Sequence, residues 1–192
     1  NLTIETLPAF LIPNTYEIYK NITVNLFFQR MKTEYQKFWN KERSDKCKSI
    51  GLSKIEVSIL ASIVEEEQDK RIDERPDIAG LYLNRLNNQL EYPYLQADPT
   101  VKFANDDFSI KQVLNIHLSI DNPYNTYKYT GLPPGPICIP SINALESVLN
   151  ATDHDYYFMC AGSNGDGYHK FTSSNKEHNI NKIEYKKFQN LK

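Results

Sequence analysis

The chain has 192 residues, of which 40% are hydrophobic and 24% are charged, a composition typical of a globular protein. Its 22 Lys and Arg against 24 Asp and Glu give a formal net charge of −2, so composition offers no support for a nucleic-acid-binding face. No run of about 18 apolar residues is present, and the sequence therefore predicts no membrane-spanning helix. The three cysteines are widely spaced and lack a CxxC pair, which argues against a disulfide framework and a zinc knuckle.

The first part of the chain is predicted to be mainly helical. Residues 1–14 contain two prolines and are predicted to be extended. From 23–40, apolar residues recur every three or four positions, the period of an amphipathic helix. Residues 41–51 are charged, end in glycine and are predicted to be a loop. Ser53 and Glu56 then have the spacing of a capping box at the start of the next helix.

Loops and shorter helices follow. A helix is predicted over 75–87, with a proline in its first turn. Residues 88–107 contain prolines and aspartates, and are predicted to form a loop with a short helix after Pro99. Weak periodicity predicts a further helix over 110–118.

The end of the chain is predicted to contain a β-hairpin between two helices. Three prolines and two glycines make 131–137 irregular. The elements predicted after it are a helix from Ser141 to Asn150, strands at 155–160 and 168–172, and an amphipathic helix over 175–192. This combination of helices with a small β-hairpin predicts an α+β fold.

One predicted helix runs from apolar to acidic over Ile59–Gln68 and ends in three adjacent glutamates. On a helical wheel, Glu66 and Glu67 fall toward the two sides of the apolar stripe, whereas Glu65 lies on the opposite face. The neighbours of Glu65 on that face are the small residues Ser58, Ala61 and Ser62. Small side chains leave a hollow for a substrate if another element packs over them. The alternative is that this face is ordinary solvated surface.

Other catalytic patterns are missing from the sequence. There is no HxxxH or HExxH spacing for a metal ion and no GxSxG context for a serine nucleophile. Neither a GxGxxG nor a Walker loop is present. The sequence therefore predicts no metal ion and no cofactor, and its four histidines have a default interpretation as structural residues.

Seven motifs in sequence order resemble those of the YceG-like family (the MltG endolytic murein transglycosylases), and together they cover nearly all of the chain. They are FLIPNTYE at 10–17, LASIVEEE at 60–67, ERP with YLNRL at 74–86, LQADPTV at 95–101, YNTY at 124–127, GLPPGPI at 131–137, and the closing YF, GYHKF and EHN at 157–179. One difference is Glu66, which stands where the family usually has lysine.

The resemblance implies an architecture and an activity. Residues 51–192 are expected to form a mainly helical catalytic domain with a lysozyme-like cleft. Residues 1–50 are expected to be a linking segment and helix that lead in from a LysM-like region. The implied reaction is cleavage of the MurNAc-β-1,4-GlcNAc bond of peptidoglycan to give 1,6-anhydro-MurNAc ends, by endolytic action that terminates glycan strand growth.

The resemblance also implies roles for particular residues. It aligns Glu65 with the catalytic glutamate of the family, and the helical wheel agrees. Gln96 and Asp98 are expected to bind sugar hydroxyl or N-acetyl groups. The aromatic loop is expected to form the opposite wall through Tyr124, Asn125 and Tyr127. The alternative is that the two tyrosines pack this loop and the asparagine caps a turn.

Partners and location follow from the resemblance alone. It implies binding to peptidoglycan glycan strands and association with cell-wall synthases. It also implies an N-terminal membrane anchor that holds the catalytic domain on the extracytoplasmic (periplasmic) side of the plasma (inner) membrane. The alternatives that remain open are a peptidoglycan-binding module without catalysis, a muramidase-type hydrolase, and a scaffold that positions synthases.

Overall fold

The computed structural model describes residues 3–190, and within that range it contains eight α-helices and one two-stranded antiparallel sheet. The helices are α1 (Val24–Phe38), α2 (Lys41–Ser49), α3 (Lys54–Glu67), α4 (Arg75–Asn87), α5 (Asp98–Ala104), α6 (Asn115–Leu118), α7 (Ile142–Leu149) and α8 (Asn175–Gln189), and the strands are β1 (Phe158–Ala161) and β2 (His169–Thr172). The predicted α+β class is confirmed. The predicted last helix extended to residue 192, and residues 191–192 lie outside the described range.

Helix α3 forms the centre of the molecule. The predicted capping box starts it: the Ser53 hydroxyl accepts a hydrogen bond from Glu56 N–H at 3.2 Å, and the Glu56 carboxylate accepts one from Ser53 N–H at 2.7 Å. Every residue in the stretch 57–64 is buried. A helix that is buried on all sides has no solvent face. Helices α4, α5 and α7 pack around it.

The prediction of a loop over 41–51 is wrong, because this segment forms α2. The Asn40 side chain caps the helix by accepting a hydrogen bond from the Arg43 N–H at 3.0 Å. Lys41 and Asp45, four residues apart, form an ion pair of 2.7 Å on its surface. The many charged residues here therefore belong to an exposed helix, which ends at Ser49 and is followed by Gly51 with φ of 73°.

Two other segments also differ from prediction. The helix expected over 110–118 is confined to the single turn of α6, which agrees with the weak periodicity of that stretch. The start of the chain, expected to be extended, contains a 3₁₀ turn at Leu7–Phe10 with a proline at its beginning. Another 3₁₀ turn, Ile72–Glu74, leads directly into α4.

The hairpin and the last helix form a layer beside the C-terminal end of α3. Strand β1 pairs with β2 so that Phe158 lies opposite Thr172 and Ala161 lies opposite His169. Helix α8 packs against both strands. Within residues 3–190, none of the helices is both long and apolar enough to cross a membrane.

The residues on the two sides of position 50 share one hydrophobic core. Phe38 and Trp39, at the end of α1, belong to the same buried cluster as Leu60 and Val64 of α3. The division into 1–50 and 51–192 stays a prediction.

Candidate active site

A cavity of about 720 Å³ lies at the C-terminal end of α3. One wall comes from α4 and the segment that enters α5, and another comes from the hairpin and α8. Residues with polar or titratable side chains on its walls include Glu67, Tyr82, Gln96, Asp98, Tyr127 and His169. The volume lies within the range of ligand sites in enzymes.

Glu67, the last residue of α3, borders this cavity. The buried Tyr82 hydroxyl donates a hydrogen bond of 2.7 Å to Glu67 Oε1 and fixes the carboxyl group. Burial raises the pKa of Glu67 to about 7 against the lowering effect of this hydrogen bond, and the charge of Asp98 raises it further. The side chain keeps some accessible surface because it faces the cavity. Near neutral pH both its protonated and its ionised forms are therefore populated.

Glu65 does not line this cavity. Its Oε2 accepts a hydrogen bond of 2.6 Å from the backbone N–H of Ser141, the N-cap of α7, and its Oε1 lies 3.5 Å from Arg75 Nη2. Arg75 is buried and also donates to Asn143 Oδ1 at 2.9 Å. The Glu65 carboxylate therefore ties the start of α7 to α3 and α4. The structure thus places Glu65 outside this cavity, and its catalytic role stays a prediction.

The hollow predicted beside the small residues of α3 is filled by protein. Ser62 is fully buried, and its hydroxyl accepts a hydrogen bond of 3.0 Å from Ile137 N–H while donating to the Ile59 carbonyl at 2.7 Å. The proline-rich segment 131–137 thus ends against this face. A helical wheel predicts an open face only if one side of the helix is free of other elements. Helix α3 is buried on all sides over residues 57–64, so no open face remains there.

Three of the predicted substrate-binding residues do line the cavity: Gln96, Asp98 and Tyr127. The Tyr127 hydroxyl donates a hydrogen bond of 2.6 Å to Asp98 Oδ1. Burial, followed by the charge of Asp98, raises the pKa of Tyr127 and keeps the phenol protonated. The Gln96 backbone has a φ of 56°, a left-handed conformation that is unusual for a residue other than glycine.

The two other predicted wall residues have structural contacts instead. Asn125 is fully buried, and its side-chain N–H groups donate to the carbonyls of Leu118 at 2.9 Å and Ile120 at 3.0 Å. The ring of Tyr124 packs on Phe103, with ring centroids 4.5 Å apart. Neither residue lines the cavity. For these two residues the contacts agree with the alternative in which the tyrosines pack the loop and the asparagine caps a turn, whereas Tyr127 lines the cavity.

The Glu74–His169 pair is a part of the site that the sequence analysis did not select. Glu74 Oε1 accepts a hydrogen bond of 2.6 Å from His169 N–H, and its Oε2 lies 2.7 Å from His169 Nδ1. Arg75, which follows Glu74 in the ERP motif, pairs with Glu65 instead. The GYHKF motif indicated that His169 could be important. It did not indicate that the hydrogen-bond partner of this histidine is Glu74.

Glu74 and His169 stabilise each other's charged forms. Burial alone would lower the pKa of His169, but the hydrogen bond and charge of Glu74, together with the charge of Glu67, raise it. Burial alone would raise the pKa of Glu74, but the hydrogen bonds from the His169 side chain and backbone and from Gln68 lower it. The raised pKa favours the protonated form of His169, whose ring faces the cavity from the hairpin.

Arg85 connects the two walls of the cavity. Its Nε donates to the Tyr157 carbonyl at 2.7 Å, ahead of β1, and its Nη1 donates to the Leu95 carbonyl at 3.1 Å and to Gln96 Oε1 at 3.1 Å. One planar guanidinium therefore fixes both the strand and the loop. Because Gln96 is held in this way, its side-chain N–H groups remain available to a ligand.

Comparison with known proteins identifies a family that this chain matches. The sequence model described as "YceG-like family" matches residues 1–184. A solved structure of a YceG-like protein from Listeria monocytogenes superposes with a TM-score of 0.75 at 30% identity, covering 90% of this chain and 54% of that one.

Two curated relatives carry the name endolytic murein transglycosylase. The protein from Bacillus subtilis (strain 168) is 41% identical over 133 residues, which are 69% of this chain and 35% of the relative. The protein from Streptococcus pneumoniae (serotype 2, strain D39) is 33% identical over 184 residues, which are 93% of this chain and 32% of the relative. The chain therefore spans about a third of the length of the curated relatives it matches.

Proposed function

The chain belongs to the YceG-like family, and from that membership and the chemistry of its cavity we propose that it is a peptidoglycan lytic transglycosylase. The substrate is the MurNAc-β-1,4-GlcNAc bond of a glycan strand, and the product carries a 1,6-anhydro-MurNAc end. The single observation that carries this proposal is a carboxyl group in the cavity, that of Glu67, which has a pKa of about 7.

A single carboxyl group with that pKa is sufficient for the reaction. In the first step, protonated Glu67 gives its proton to the glycosidic oxygen as the bond from that oxygen to C1 of MurNAc breaks. In the second step, the C6 hydroxyl of the same sugar forms a bond to C1, and the Glu67 carboxylate accepts its proton. No water is consumed, so the second carboxylate required for hydrolysis has no necessary role.

The neighbouring groups suit these two steps. The Tyr82 hydrogen bond orients the Glu67 carboxyl group in both protonation states. When His169 is protonated, its charge favours the ionised form of Glu67 that exists between the steps. Asp98 and Tyr127, joined by their hydrogen bond, supply an acceptor and a rigid aromatic surface for sugar hydroxyl and N-acetyl groups.

The biological setting is proposed from the family. The names of the relatives support endolytic action on murein, and endolytic cleavage of a growing strand would terminate its synthesis. Such a role requires that this chain act outside the cytoplasm, on the cell wall. Association with cell-wall synthases and attachment to the inner (plasma) membrane through an N-terminal anchor are part of the same proposal.

A muramidase-type hydrolase is the second candidate, because Asp98 gives the cavity a second carboxylate. In that reaction a carboxylate activates water or attacks C1 directly. The two reactions are distinguished by the mass of the released ends, since an anhydro end is lighter than a hydrolysed end by one water molecule. Release of anhydro ends alone is the expected result.

The catalytic assignment is tested by a matched pair of substitutions, Glu67→Gln and Glu65→Gln. Both replace one carboxyl group by an amide in the same turn of α3. Digestion of purified sacculi followed by mass spectrometry should show an activity loss of about 10²–10⁴-fold for Glu67→Gln, the usual effect of removing a positioned acid. Glu65→Gln should retain most activity, because glutamine can still accept the Ser141 hydrogen bond.

The opposite ranking of the two variants would return the assignment to Glu65. Absence of any glycan cleavage by the unmodified chain would reject the enzymatic proposal and favour the binding-module or scaffold alternative. Circular dichroism of both variants verifies that a loss of activity is not a loss of folding.

A further inference from the structure

Helix α8 has an unusual distribution of side chains. Its isoleucines Ile180 and Ile183 are 48% and 54% exposed, and none of its residues is buried. The face toward the cavity is polar and recurs at helical spacing, and it consists of Asn175, His178, Lys182, Tyr185, Lys186 and Gln189. An amphipathic helix normally turns its apolar face inward. Packing alone therefore does not account for this orientation.

The cavity-facing lysines of α8 have no acidic partner. Within residues 3–190, neither Lys182 nor Lys186 forms an ion pair, whereas the neighbouring Glu184 is paired with Lys170 at 2.7 Å. Lys111, from the loop that follows α5, lines the same cavity and is also unpaired among the described residues. All three lysines are solvent-exposed, so their charged ends are accessible to an anionic group of a ligand.

Charge is distributed unevenly between the cavity and the rest of the molecule. The whole chain has a formal net charge of −2. The cavity nevertheless contains Arg85 and the three lysines, against only two carboxylates, Glu67 and Asp98. Burial, then the charges of Lys182 and Arg85, lower the pKa of His178 to about 4, so this histidine is neutral at pH 7.

The length of the polar face extends the site away from the proposed acid. At about 1.5 Å per residue, the fourteen steps from Asn175 to Gln189 cover roughly 20 Å. Protonation of one glycosidic bond occurs at Glu67, at the end of α3. The lysines of α8 are therefore suited to contact groups that branch from the glycan strand.

We propose that Lys182 and Lys186, assisted by Lys111, form an anion subsite that binds carboxylates carried by the glycan strand. The inference rests on the proposed function, because it identifies the part of peptidoglycan that the cavity recognises besides the sugars. N-acetylated sugar rings are uncharged. Carboxylates come either from the stem peptide or, where the peptide is missing, from the lactyl group of MurNAc. Lysine, a point charge on a flexible stem, suits a mobile carboxylate.

The test measures binding separately from cleavage. Isothermal titration calorimetry uses the Glu67→Gln variant as the parent protein and three preparations of soluble glycan strands. The first carries stem peptides, the second has been stripped by an amidase to expose lactyl carboxylates, and the third is stripped and then capped as the methylamide. The substitutions Lys182→Gln and Lys186→Gln are introduced together into the parent protein, and the resulting variant is compared with the parent.

The double variant should weaken binding about tenfold for carboxylate-bearing strands and leave binding of the capped strands within about twofold of the parent. A loss confined to peptide-bearing strands identifies the peptide as the source of the carboxylate, and a loss confined to stripped strands identifies the lactyl group. An equal loss for all three preparations, or no loss for any, would overturn the subsite. Failure of the parent to bind any strand would overturn it as well.

A matched control has the same change in charge on the same helix. Lys176 and Lys187 belong to α8 but do not line the cavity. The variant Lys176→Gln/Lys187→Gln should bind all strands as the parent does, and an equal loss in this control would overturn the subsite in favour of a net-charge effect. Cleavage by the unmodified chain is measured in parallel. If it cleaves nothing while the lysine-dependent binding persists, the proposed function fails and the subsite stands.

Discussion

Two glutamates that are two residues apart in one helix have different surroundings. Glu65 accepts a backbone hydrogen bond from the N-cap of α7 and lies beside a buried arginine. Glu67 borders the cavity and is held by a tyrosine hydroxyl. The first arrangement suits a side chain that joins helices. The second suits a carboxyl group that gains and loses a proton.

The raised pKa of Glu67 predicts a cost in stability that depends on pH. The pKa is about 7 in the folded chain against 4.5 for a free side chain. Folding therefore favours the protonated form, so the stability contributed by Glu67 is present below about pH 4.5 and is lost as the pH rises to about 7. Glu67→Gln should be more stable than the unmodified chain at pH 8, by on the order of 1–3 kcal/mol, and should show little gain at pH 4.5.

Urea unfolding of both proteins at the two pH values measures the difference in their unfolding free energies. The contributions of the other titrating groups are common to both proteins and cancel in this difference. Glu65→Gln, which changes a carboxyl group outside the cavity, is measured in parallel for comparison. A Glu67→Gln variant whose relative stability is the same at pH 4.5 and pH 8 would contradict the raised pKa.

The hairpin contributes a charged group to the site through one pair of side chains. Strand β2 begins at His169, and the 3₁₀ turn before α4 ends at Glu74. The raised pKa of His169 adds stability that is lost as the pH rises through that pKa, and the lowered pKa of Glu74 adds stability that is lost as the pH falls through its own. The pair therefore stabilises the hairpin most in the window between the two values.

Substitution Glu74→Gln should lower the pKa of His169, because the opposing charge and one charge-assisted hydrogen bond are removed. Nuclear magnetic resonance titration of the His169 ring protons measures this shift. Glu177→Gln provides a control, since Glu177 accepts a hydrogen bond from Thr172 Oγ1 at 2.6 Å in the same region. If His169 titrates alike in all three proteins, the proposed coupling to Glu74 is wrong.

At the scale of the whole molecule, the segment before residue 50 contributes to the main core. Trp39, the single tryptophan, is 4% exposed and packs edge-on against Phe38 at a centroid distance of 5.0 Å. It belongs to the cluster that includes Val57 and Leu60 of α3. A core that is continuous across position 50 should unfold in one step.

Denaturation followed by Trp39 fluorescence and by far-ultraviolet circular dichroism tests this expectation. The fluorescence reports on the segment before residue 50, and the dichroism reports on all helices. Coincident midpoints are expected. A fluorescence transition that precedes the loss of helical signal would instead support residues 1–50 as a separate unit, as the sequence-based division proposes.

The accuracy of prediction followed the range of the interactions involved. The Ser53 capping box and the Ser141 N-cap were predictable because a cap involves residues within one turn. Helix α2 was missed because its surface charges resembled those of a loop. The family resemblance assigned Asn125 to the substrate, and the hydrogen bonds from its buried side chain to two backbone carbonyls were not visible from the neighbouring residues.

The sequence by itself determined the family, the α+β class and most helix ends, because motif order, periodicity and caps are properties of contiguous residues. Only the tertiary structure decided which acid meets the cavity. The decisive contacts join distant segments: the partner of Glu65 is 76 residues away, and that of Glu74 is 95 residues away. A helical wheel contains no information about such partners. Helix α3 is enclosed by other elements, and each of its faces contacts a different one of them.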